Sequence, residues 1–259
     1  MLAQRLGLSL PTLKNVSPGG FDNLYSLDFD GVDDYVTMGD QLVFTPNSSG
    51  ADRGFSVSCW IKTSSNRKGI ISKIASGQYE WIIEIDRFDN PKFRLFSSGD
   101  VTIYQSLTAT TDVVDGNWHH IVGTFDLADA TTSLIIYVDG TPYSGALGNA
   151  TYSSAGTWVS VSNTTSPLQV GDMFNVGAFP GNIDEISLFD DVLSAAQVTA
   201  IYNTGTPTDL SGEDYLLGYW RNGDTAGTSV YPTIEDYSSN SNDGTMTNMA
   251  SGDIVTVVP

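Results

Sequence analysis

Leu27-Asp28-Phe29-Asp30-Gly31-Val32-Asp33-Asp34-Tyr35-Val36 is the stretch whose reading decides the fold. Leu27 and Phe29 alternate with Asp28 and Asp30, Gly31 supplies a turn, and Tyr35, Val36 and Met38 resume the apolar positions. The pattern predicts strand, acidic turn, strand. Asp28, Asp30, Asp33 and Asp34 repel one another across this turn, which therefore requires either full solvation or a cation. A second strand, Gly181-Asn182-Ile183-Asp184-Glu185-Ile186-Ser187-Leu188-Phe189, also opens on acids. Side chains alternate faces along a strand, so Asp184 and Glu185 cannot both reach solvent if one face is packed. A carboxylate left inside needs a partner, because burying it unpaired is costly.

Outward from these anchors the chain reads as strands and turns. Phe55, Val57, Cys59 and Ile61 alternate onto one face. Ile70–Ile74 is a short strand, Tyr79–Arg87 pairs with Lys92–Phe96 through Phe88-Asp89-Asn90-Pro91, and Val101–Leu107 follows. Asn117–Phe125 and Leu134–Val138 form two longer strands, bounded by Asp115-Gly116 and Asp139-Gly140. Ser194-Ala195-Ala196-Gln197 is a capping box, and Val198, Ile201 and Tyr202 give one apolar helical face. One short α-helix is expected near 194–203. Many short strands without helical periodicity between them predict an all-β, antiparallel two-sheet sandwich or jelly roll.

Residues 1–24 carry leucines among Pro11, Pro18 and Gly19-Gly20, too broken for a helix, and read as an extended arm that docks on its own domain or on a neighbouring subunit. Residues 25–259 read as one domain. The segment 215–259 is too short for a core of its own and should add terminal strands.

Thirty acidic against 11 basic residues give a net charge of −19, which opposes phosphate contacts and excludes nucleic-acid binding. No apolar run is long enough for membrane insertion, and no signal peptide is read at the start. The single cysteine, Cys59, lies in an apolar run and is expected to be a buried, inert thiol.

As an ordered set, Leu27–Val36, Phe55–Ile61, Trp118-His119-His120-Ile121-Val122, Ile136–Gly140 and Ile183–Ile186, followed by the capped helix, resemble laminin-G-like, concanavalin A-like jelly-roll domains. The segment from Gly218-Tyr219-Trp220-Arg221 to Asp236–Thr245 resembles one that precedes the first motif in many members; here it comes last. The ending is also similar to proteins encoded by marine bacteriophages. The family resemblance implies two curved antiparallel sheets and a structural calcium near the acidic turn, with Asp30, Asp33 and Asp184 as its ligands by position. An EF-hand is excluded, since a loop begun at Asp28 has Asp33 at the glycine position and Gly39 at the bidentate glutamate position.

Glu84-Ile85-Asp86-Arg87-Phe88-Asp89 is similar to the Glu-x-Asp-x-x-Glu strand of some glycoside hydrolases in that fold, but Asp89 replaces the second Glu and begins a turn. His119 and His120 point to opposite faces of a strand and cannot share a metal. With no phosphate loop or nucleophile triad, binding is the better class and no enzyme is expected. Tyr152, Trp158 and Phe179, near Asn163 and Asp172, are the candidate sugar-binding aromatics.

The resulting expectation is a non-enzymatic virion structural, decoration or appendage protein built on a lectin-like jelly roll. Its partners would be other virion proteins or cell-surface glycans, it would form a homo-oligomer, and it would reside in the virion. The alternative is an extracellular carbohydrate-binding or adhesion module, and a glycoside hydrolase ranks last.

Overall fold

The computed structural model describes residues 21–40, 54–97, 104–126, 134–144, 161–172, 177–224 and 231–259. The chain runs β1 (Ser26–Asp30), β2 (Tyr35–Gly39), β3 (Phe55–Lys62), β4 (Lys68–Ala75), β5 (Gln78–Ile85), β6 (Pro91–Phe96), β7 (Tyr104–Thr108) and β8 (Trp118–Phe125). It continues through β9 (Leu134–Val138), β10 (Thr141–Ser144), β11 (Leu168–Val170), β12 (Pro180–Phe189) and the helix α1 (Ala195–Tyr202). The last strands are β13 (Leu216–Trp220), β14 (Thr233–Ile234), β15 (Gly244–Thr247) and β16 (Ile254–Val255).

These strands form two antiparallel eight-stranded sheets, as the alternation predicts. The first has the order β10-β9-β8-β3-β12-β1-β16, with β13 also paired to β12, and the second the order β14-β15-β2-β11-β4-β5-β6-β7. The acidic turn therefore carries the chain from one sheet to the other. Gly31 makes the turn possible: its φ is +75°, and a Cβ there would lie 2.7 Å from Cβ of Pro180.

Between the sheets lies the main core. Leu27, Phe29, Val57, Cys59, Ile61, Trp81, Ile83, Phe93, Ile183 and Trp220 are among its members. Each such side chain contributes about 1.5–3 kcal/mol on burial. Cys59 is fully buried there, and desolvation pushes its thiol up to about 12, so it is inert.

A second cluster covers the other face of the first sheet. It brings Val122, Tyr137 and Phe189 beneath Leu193, Val198 and Ile201 around the helix and Leu210, Leu216 and Tyr219 of the following segment. For this reason β3 is buried on both faces along nearly its whole length, including Ser56, Ser58 and Trp60. The capping box is made as expected: Ser194 accepts from the Gln197 backbone N–H, and the Gln197 side chain accepts from the Ser194 N–H at 2.9 Å.

The segment after α1 enters both sheets, with β13 and β16 in the first and β14 and β15 in the second. Residues 21–24 pack on this same segment, where Arg221 donates to the Asp22 carbonyl at 2.7 Å and the Leu24 N–H donates to Asp224 at 3.0 Å.

Candidate functional site

At the acidic turn, carboxylate oxygens of Asp30, Asp33 and Asp34 all lie within 4.8 Å of one another. Asp30 Oδ1 accepts from the Val32 N–H at 2.7 Å, and Asp34 Oδ2 from the Asp30 N–H at 2.9 Å. Burial raises the pKa of Asp34, and the Asp30, Asp253 and Asp33 carboxylates raise it further. A hard divalent cation takes oxygen donors of this kind, and the turn's own N–H groups leave other carboxylate oxygens uncommitted. Asp30, Asp33 and Asp34 thus fit calcium, which would neutralise the turn.

Asp184 is not part of this group. In the β1–β12 register Leu27 sits opposite Ile183 and Asp30 opposite Pro180, so Asp184 lies beyond Leu27, away from the turn. Four residues of strand separate it from the level of Asp30, about 13 Å. The position implied by the family resemblance is corrected accordingly. Asp34, which alternation alone left as one more turn acid, takes its place in the cluster.

Asp184 instead belongs to a buried network with Glu185. The two break the strand ladder: the β12–β3 register shifts between Asp184 and Ser187, and Glu185 has φ of +49°, the mark of a bulge. Both side chains thereby turn inward, Asp184 at 0% and Glu185 at 3% exposure. Asp184 accepts from Asn23 Nδ2 at 2.9 Å and from the Glu185 N–H at 2.8 Å. Glu185 accepts from the Tyr219 hydroxyl and faces Arg221 Nε at 3.6 Å, while Arg221 Nη2 pairs with Asp224 at 2.9 Å. Burial pushes Glu185 up to about 8 against the opposing pull of Tyr219 and Arg221, and burial with the Glu185 charge raises Asp184 well above the carboxylate range. Glu185 thus takes its partners from the C-terminal segment, and Asp184 takes Asn23 from the stretch before β1.

The aromatic candidates separate. Phe179 is fully buried and meets Phe29 edge-on, with ring centroids 6.4 Å apart, so it is a core residue and not a sugar platform. Tyr152 and Trp158 lie outside the described residues.

An exposed aromatic stands elsewhere, at the β5–β6 hairpin. Phe88 is 62% exposed, and the Arg87 guanidinium lies over its ring at 4.4 Å. It borders a cavity of about 420 Å³ lined also by Arg67, Glu84, Asp86 and Lys92. Phe93 and Leu95 of β6 face the core, so Lys92, Arg94 and Phe96 project from the outer face of the second sheet. There Ile74, Ile82 and Phe96 cluster with Tyr79 and Tyr104. The hairpin was visible in the sequence. The turn pattern itself carries no sign that Phe88 is exposed.

The carboxylates of the hydrolase-like stretch are held by donors. Glu84 is paired with Arg94 Nη2 at 2.7 Å, Asp86 Oδ1 accepts from the Phe88 and Asn90 N–H groups at 2.7 and 3.1 Å, and Asp89 accepts from Asn66 at 2.6 Å.

The histidines point apart as expected. His119 bridges Asp139 at 2.8 Å and Asp115 at 3.1 Å, and the Asp139 hydrogen bond raises its pKa. His120 is fully buried against Ser58 Oγ at 2.8 Å, and burial drives its pKa down to about 3. No helix among the described residues is long and apolar enough to cross a membrane.

The order of motifs and the two-sheet topology can be set against known proteins. The family model described as the concanavalin A-like lectin/glucanases superfamily matches residues 30–199. The chain belongs to this superfamily. Among solved structures, the superfamily domain is similar to a candidate carbohydrate binding protein from Bacteroides ovatus, at 16% identity and a TM-score of 0.59. That match covers 90% of this chain but 60% of the other, so the chain spans little more than half of that relative. It is also similar to the heptameric SAP-like pentraxin of Limulus polyphemus, at 14% identity and a TM-score of 0.50, covering 71% and 84% of the two chains. Domain 4 of AbnA, a GH43 extracellular arabinanase from Geobacillus stearothermophilus in complex with arabinotriose, matches at 17% identity and a TM-score of 0.48, covering 68% and 76%. At these identities the first two likenesses establish the fold alone. Comparison with curated proteins finds no match.

Proposed function

We propose that this domain is a non-catalytic carbohydrate-binding module that takes its ligand at the β5–β6 hairpin. The observation that carries the reading is the exposed Phe88 ring beside a polar cavity of about 420 Å³. A saccharide offers one apolar face and a rim of hydroxyls, which suits an aromatic platform flanked by charged and polar side chains. The Bacteroides ovatus relative is named as a candidate carbohydrate binding protein, which agrees with this use of the fold. Against catalysis stand the carboxylates themselves, since Glu84 is bound to Arg94 and Asp86 caps its own turn. An acid or base for glycoside hydrolysis has to exchange protons with the glycosidic oxygen or water.

None of the structures named above is a virion protein, so a particle role and self-assembly rest on the sequence resemblance alone. Glycan-array screening followed by calorimetry tests the proposal. Saturable saccharide binding without release of shorter products is expected, and it should be lost in Phe88→Ala. Hydrolysis of the bound glycan, or no binding across neutral and acidic saccharides, would overturn it.

A further inference from the structure

The basic residues of this acidic chain are not spread evenly. Of its 11 Lys and Arg, six fall within residues 67–94 against four acids, a local net of +2 in a chain of −19. Arg67, Arg87 and Lys92 line the hairpin cavity. Their acidic neighbours are already engaged: Glu84 by Arg94, Asp86 by two turn N–H groups, and Asp89 by Asn66. Among the described residues, Arg67, Arg87 and Lys92 make no ion pair with any of these acids. Arg94 Nε is buried without a hydrogen-bond partner.

The result is a cavity lined by three cations, Arg67, Arg87 and Lys92, against two acids, of which Glu84 is already paired with Arg94 and Asp86 is held by turn N–H groups. Burial and then the Arg94 charge lower the Lys92 ammonium pKa, against the opposing pull of Glu84 and Asp86. Glu84 lies across from Lys92 but is committed to Arg94, so an anion entering the cavity from the Arg67 and Arg87 side adds a partner for Lys92. Arg67 keeps its place at the mouth through a left-handed backbone, with φ of +56° and its N–H donated to the Asp86 carbonyl at 3.3 Å.

We propose that the hairpin cavity selects anionic saccharides, holding a carboxylate or sulfate ester on Lys92, Arg67 and Arg87 while Phe88 takes the apolar face of the ring. This rests on the carbohydrate-binding reading and narrows it to a substrate class. In the surrounding acidic field only a ligand that pairs locally with these cations is retained, because repulsion from the rest of the surface is screened over about 10 Å at 0.1 M salt.

The test uses the full chain and three probes in calorimetry: an oligogalacturonate, a sulfated oligosaccharide derived from carrageenan, and neutral xylohexaose. One or both acidic probes should bind at least about tenfold more tightly than xylohexaose, the free-energy equivalent of one charge-assisted hydrogen bond. Raising salt from 0.05 to 0.5 M should remove most of that preference. Lys92→Gln and Arg87→Gln should each weaken the acidic probe about tenfold with unchanged thermal melting, and weaken xylohexaose by clearly less. Which acidic probe binds distinguishes carboxylate from sulfate recognition. Equal affinity for neutral and acidic probes, or no effect of either substitution, would overturn the anionic preference while leaving carbohydrate binding intact. If no saccharide binds at all, the carbohydrate reading fails first and takes this one with it.

Discussion

Arg221 ties two buried carboxylates of this domain together. It lies against Glu185 and Asp224, both buried, and removing one partner of a buried ion pair strands the other charge. Arg221→Met is expected to destabilise the fold by about 3 kcal/mol in urea unfolding. Above about pH 8, where Glu185 is ionised, adding Glu185→Gln should recover part of the loss, since that stranded charge is then absent. Asp184→Ala should destabilise equally with calcium or with chelator, because its contacts are Asn23 and the Glu185 N–H. A loss confined to calcium-containing buffer would return Asp184 to a metal site. At the surface, His119 has its pKa raised between Asp139 and Asp115. Its contribution is therefore complete below the unfolded histidine value and disappears as pH rises through the folded one. His119→Gln should flatten that part of the stability profile.

Among the elements, α1 offers the most direct check on local reasoning. Ser194→Ala removes an N-cap in a made capping box and should cost about 1 kcal/mol, read as a lowered melting temperature. The acidic turn makes a second prediction. Millimolar calcium should raise the melting temperature of the native chain and leave Asp33→Asn nearly unmoved, and equal shifts in both would exclude the turn as the site.

The helix and most strands were legible in the sequence because capping boxes and period-two alternation are local signals. Phe55, Val57, Cys59 and Ile61 do face the core together. Burial of the opposite face of β3 was not legible, since it depends on Leu210, Leu216 and Tyr219, which arrive from far along the chain. The same holds for the site. The family resemblance implies Asp184 beside the acidic turn, and nothing local in the sequence reveals the β1–β12 register that separates them; Phe179 reads as part of a polar loop because its partner Phe29 is distant. Phe88 was read as turn chemistry, since exposure is a tertiary property.

For the molecule as a whole, several carboxylates share one direction of shift. Asp28, Asp34, Glu80, Asp184, Glu185 and Asp224 are all raised, with burial as the leading cause. A folded carboxylate with a raised pKa binds more protons than its unfolded counterpart, so stability falls as pH climbs between the two values. For Glu185 that window runs from 4.5 to about 8. The urea midpoint should accordingly be higher near about pH 5 than near about pH 8. Glu185→Gln should reduce the difference. A midpoint that rises over this range would contradict the assignment.

The pairing of β16 with β1 has a mechanical consequence. Ser26 lies beside Val255 and Leu27 beside Ile254, in antiparallel register. The flanking chain therefore leaves from the same end of the sheet, one strand spacing apart, about 4.8 Å. Tension applied across those two points would peel this short pair open one hydrogen bond at a time, where a sheared ladder would resist with all its bonds at once. Under load β16 would come away first, before β15 and β14 left the second sheet and before Arg221 parted from Glu185.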